Sequence, residues 1–111
     1  MEILKLLKPV MINGVEVKDL KYDFDNMTAQ DKLNAGKAYK KAGGVITVQE
    51  LDSDYHLYIF AEAAAKANAD IDQTDILLIS ARDAAKAEKL VRSFFFLDSE
   101  DTLLTSISEE Q

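Results

Sequence analysis

Apolar and polar positions along the chain change period several times, and each change marks an element. The run "ILKLLKPV" reaches Pro9 with a β-like pattern, and Asn13-Gly14 follows. Asn-Gly is a strong hairpin signal, because both central residues of a type I′ turn need positive φ. Beyond it Val15, Val17, Leu20, Tyr22 and Phe24 roughly alternate, with one slip between 17 and 20 that signals a bulge. The pattern predicts a β-hairpin with arms near 3–11 and 15–24. Two strands alone are marginal in water, so the hairpin must lie on helices.

Helical spacing begins next. Thr28 is placed to cap a helix with Asp31 three residues on, a variant capping box. Gly43-Gly44 stops it after Lys40 and Lys41. Its apolar stripe is thin: Ala29, Leu33, Gly36 and Tyr39. "VITVQEL" reads as a third strand or an extended connector. Asp52 or Ser53 then caps a helix over about 54–67. Its first half, with Tyr55, Leu57, Tyr58, Ile59, Phe60 and Ala61, is apolar nearly all round, which marks the central buried helix. Asp72 or Thr74 starts a short turn over 76–79. Ser80 with Asp83 makes a second capping box, opening a helix over about 81–96.

That last helix ends in "LVRSFFFL". At 100° per residue, Phe94, Phe95 and Phe96 point to three different sides. Ala84, Ala87, Val91, Phe94 and Phe95 share one face, Leu90 flanks it, and Phe96 falls off it. The closing "DSEDTLLTSISEEQ" still carries Leu103, Leu104 and Ile107, at the spacing of a short amphipathic helix. Two arrangements would satisfy these groups. The tail folds back over the phenylalanines, or the apolar cluster of Phe94, Phe95, Phe96, Leu97, Leu103, Leu104 and Ile107 is a site for another protein or a second copy.

These elements predict an α+β, mainly helical fold: an N-terminal β-hairpin packed on a bundle of three to four helices. Its 111 residues suit one domain, assigned to 1–97, with an acidic tail over 98–111. Of the 20 acids, five fall in that tail, which holds no Lys or Arg; the other 15 face all 13 bases. A net charge of −7 argues against nucleic acid and anionic membranes as partners. With no cysteine, disulfides and thiolate metal sites are excluded. No leader and no apolar run of membrane-span length is read.

Signals for catalysis are poor. His56 is the sole histidine and has no marked partner for a nucleophile triad. The run "NADIDQTDILLI" superficially resembles a calcium loop, but Gln73 stands where Gly is required and Ile79 where the bidentate Glu belongs. Capping explains its acids better. No phosphate-cradling glycine motif is present, and no cofactor or metal is expected.

Three stretches carry a family likeness: "LKPVMINGVEVKDLKYDFDNMTAQD", "DYHLYIFAEAAAKA" and "DILLISARDAAKAEKLVRSFFF". Together they resemble the small tail assembly chaperones of long-tailed phages and prophages, over about residues 4–97. The resemblance implies a non-enzymatic protein of the bacterial host cytoplasm. It would bind the long, helical, aggregation-prone tape measure protein before the tube polymerises, with tail tube subunits as a further partner. It would be absent from the mature virion. No catalytic residue carries over. The competing reading is a small structural virion protein, a tail or head-completion component. A third is a DNA-binding helix-turn-helix over about 72–96, against which the charge argues.

Overall fold

The computed structural model describes residues 1–97. β1 (Glu2–Ile12) and β2 (Val15–Tyr22) form a two-stranded antiparallel sheet. Asn13 and Gly14 both have positive φ, 52° and 78°, as the type I′ turn demands. The register runs Ile12↔Val15 to Val10↔Val17, breaks, and resumes at Lys5↔Asp19. Leu6 to Pro9 therefore stand opposite Lys18 alone. The irregularity lies where the alternation slips, but the extra residues belong to β1. Pro9 has no N–H to give a ladder, which makes a break there cheap.

Helices follow: α1 (Ala29–Lys41), α2 (Ser53–Ala67), the single turn α3 (Gln73–Ile76) and α4 (Ala81–Val91). The mainly helical α+β architecture is as the sequence predicts. Thr28 and Asp31 form the expected reciprocal cap on α1. Its end is a Schellman motif: Gly43 N–H donates to Lys40 C=O and Gly44 N–H to Tyr39 C=O. Gly43 takes φ 100°, and a Cβ on Gly44 would strike the Tyr39 ring. The segment after them is a connector containing a 3₁₀ turn at Gln49–Leu51, not a strand.

α2 is the central helix. Tyr55, His56, Ile59, Phe60, Ala61, Glu62, Ala63 and Ala64 are all buried on it. The hairpin supplies Leu4, Leu20 and Tyr22 to the same core, α3 supplies Ile76, and α4 supplies Ala87 and Val91. Asn68 caps α2 and ties it to β2, donating from Nδ2 to Ala64 C=O and Lys21 C=O.

The stripe expected on α1 is rotated. Ala35 is the buried residue, and Leu33 is 59% exposed. Two contacts set the rotation. Gly36 lies against the Tyr55 ring, and Tyr39 packs on Tyr55 and Tyr58 while its hydroxyl donates to Asp52. Small residues and one anchored ring thus outweigh a lone leucine.

Candidate functional site

The two ends of α4 carry most of the molecule's unusual chemistry. At its start, Ser80 accepts from Asp83 N–H, the expected cap. Asp83 also does something the local pattern does not announce. Its fully buried carboxylate accepts from Leu7 N–H at 2.7 Å, Lys8 N–H at 3.1 Å and the Ser80 hydroxyl at 2.8 Å. The N–H groups that the β1 break leaves without a ladder partner are taken up by a helix side chain. Burial pushes this carboxyl up, but those hydrogen bonds outweigh it and hold it below the usual carboxylate range. Lys86 adds a bond to Lys5 C=O.

At the other end α4 changes pitch. The α-helix stops at Val91, and Arg92–Leu97 form a π-helical segment. Expectation had one α-helix running to 96, with Phe94 and Phe95 inward and Phe96 off the stripe. The opposite holds for the outer two rings. An i→i+5 closure widens the turn, so Phe96 swings under Val91 onto the core side and Phe94 swings outward. Phe96 is 5% exposed and Phe94 42%. Phe95 is half-buried between them.

Phe96 is accordingly core, not surface. Its ring stacks on His56, with centroids 4.8 Å apart and planes at 19°, and the Lys32 ammonium sits 5.7 Å from its centroid. His56 faces the Gln49 carbonyl through Nε2 at 2.7 Å. A carbonyl only accepts, so Nε2 carries the proton. Burial pushes the imidazole's pKa down, with the Gln49 hydrogen bond opposing. This is a neutral histidine that seats a ring, committed to packing and to a backbone carbonyl.

Phe94 and Phe95 turn the other way and meet Phe24, each with ring centroids 5.3 Å from it. Tyr22 lies 4.8 Å from Phe24 and Phe60 lies 6.5 Å from it. The result is a ladder of rings from the core to the surface. It opens into a cleft of about 430 Å³, with Tyr22, Phe24, Leu90 and Phe94 as apolar lining and Glu2, Asp23 and Asp25 around them. No Lys or Arg lines it among the described residues. Phe94 and Phe95 are thus brought together, with ring centroids 4.8 Å apart. The side chain of Leu97, and Leu103, Leu104 and Ile107, lie outside the described residues. Sequence reasoning missed Phe24 and its acids as part of the site, although "DFD" at 23–25 places an aromatic between two carboxylates at the end of a strand.

Other acids have local duties. Asp72 and Asp75 cap α3, and Asp70 C=O accepts from Asn13 in the hairpin turn. Among the described residues no cluster of potential metal ligands forms, and no helix is long and apolar enough to cross a membrane. α3, at four residues, is a single turn. Glu62 is the one buried side chain left with an unpartnered oxygen, Oε1, among the described residues. Burial, and then nearby Asp31, push its carboxyl up. Asp31 itself pairs with Lys66 at 2.7 Å, which holds Asp31 low.

No protein-family model, no curated protein and no solved structure matches this chain.

Proposed function

We propose that this chain is a non-enzymatic tail assembly chaperone of a long-tailed phage or prophage. It binds the tape measure protein before the tube polymerises, with tail tube subunits as a second partner. It acts in the host cytoplasm and leaves before the particle is finished. The observation that carries the reading is the aromatic cleft: Phe94 is held 42% exposed over Phe24 by a change of helix pitch. A small acidic domain that keeps a ring partly in water beside carboxylates is suited to reversible holding of apolar segments. The family likeness of "LKPVMINGVEVKDLKYDFDNMTAQD" and "DILLISARDAAKAEKLVRSFFF" supplies the identity of the client.

The test is co-expression of the tagged full chain with the tape measure protein, followed by purification of finished tails. The chain should co-purify with free tape measure and be missing from completed particles. Persistence in completed particles would instead support a small structural component.

A further inference from the structure

We infer that the Phe94 cleft takes an amphipathic partner segment that presents an apolar side chain flanked by Lys or Arg. The partner's identity rests on the chaperone reading; its chemistry rests on the cleft. The volume, about 430 Å³, is at the low end of sites that bury a small ligand. It admits side chains, not a folded domain. The rings of Phe94, Phe24 and Tyr22 offer an apolar seat. Glu2, Asp23 and Asp25 surround it with three carboxylates, against the single α-amino group of Met1, so the rim stays acidic on balance. Glu2 and Asp25 are exposed.

Charge decides among the occupants. The chain's own residues 98–111 contain five acids and no Lys or Arg. They would bring like charge onto the rim. A second copy docking cleft to cleft would face one acidic rim with another, as a two-fold contact requires. Like charges juxtaposed across an interface are costly, whereas opposite charges steer encounter and fix register. A basic-apolar partner satisfies both the seat and the rim.

The experiment uses the full chain and two synthetic amphipathic helical peptides with the same leucine face, one carrying lysines on its polar face and the other glutamates. Binding is followed by anisotropy of labelled peptide and by NMR shifts of the protein. The lysine peptide should bind at least about tenfold tighter at low ionic strength, and the preference should shrink as salt screens the rim. Shifts should centre on Phe24, Leu90 and Phe94. Phe94→Ser should weaken the lysine peptide about tenfold. Glu2→Gln with Asp25→Asn should narrow the preference, whereas Glu100→Gln with Asp101→Asn, which removes equal charge from the tail, should narrow it less.

Equal binding of the two peptides would overturn the proposal, as would shifts away from the cleft or an equal effect of the tail pair. A concentration-dependent dimer abolished by Phe94→Ser would overturn it in favour of a second copy. Cleft shifts produced by the tail substitutions alone, without peptide, would overturn it in favour of the chain's own tail. A cleft that takes the lysine peptide in a chain that does not co-purify with tape measure would leave this inference standing and remove the chaperone reading. The reverse pair of results would do the opposite.

Discussion

The two ends of α4 solve the same problem in opposite ways. Each must join a helix terminus to the rest of the molecule. The Ser80–Asp83 end does it with matched polar groups around one buried carboxylate, which serves the capping Ser80 hydroxyl and the broken strand together. The Phe94–Phe96 end does it with rings, and leaves one of them partly in water. A matched polar junction has nothing left to offer a partner. An aromatic junction that closes on one side and opens on the other does.

The comparison predicts unequal costs. Asp83→Ala removes a buried carboxylate that accepts from the part-buried Leu7 and Lys8 N–H groups and from the Ser80 hydroxyl, while the Ser80 cap itself stays, so a loss of roughly 3 kcal/mol is expected from urea denaturation. A loss below about 1 kcal/mol would mean the β1 break is satisfied by other means. At the far end, Phe96→Ala should cost about 3 kcal/mol, a buried ring lost from between His56 and Lys32. Phe94→Ser should cost under about 1 kcal/mol, because its ring is already half in solvent. If the two variants melt alike, the π-helical turn does not sort the rings as described.

Two smaller effects concern pH. Glu62 has a raised folded pKa, so its stabilising contribution is present at low pH and is lost as pH rises through that value. Glu62→Gln should therefore stabilise the chain by about 1 kcal/mol near pH 8, with little gain near pH 4, as read by thermal melts. His56 runs the other way. Its folded pKa is depressed, so stability is full above the unfolded value of about 6.5 and falls as pH drops below it. His56→Gln should be less stable overall, yet show a flatter pH profile between about pH 6.5 and 5. Because the two slopes oppose each other, each variant is compared with wild type separately. A Glu62→Gln difference that does not change with pH would show that Glu62 is not desolvated, and a His56→Gln difference that does not change with pH would show the same of His56.

Much of this was legible in the sequence, for reasons that are local. Asn13-Gly14 sets its turn through φ, and Thr28, Asp52 and Ser80 cap their helices within three residues. The apolar run of α2 announces burial on all sides. What was not legible depends on partners far along the chain. Asp83 reads as half of a capping box, and only the fold brings Leu7 and Lys8 to it. Leu33 reads as the centre of the α1 stripe, but the Tyr39–Tyr55 contact turns it outward. Three successive phenylalanines signal that an α-helix cannot bury them all; they do not say that the helix will change pitch to choose Phe96.

The central claim is that Phe94 serves a partner while Phe96 serves the fold. Capture of a tape measure fragment by the wild-type chain and by Phe94→Ser, at matched concentration and with melting curves alongside, tests it most directly. The account predicts at least about a tenfold loss of capture with the melting temperature nearly unchanged. Undiminished capture by a folded Phe94→Ser chain would contradict it.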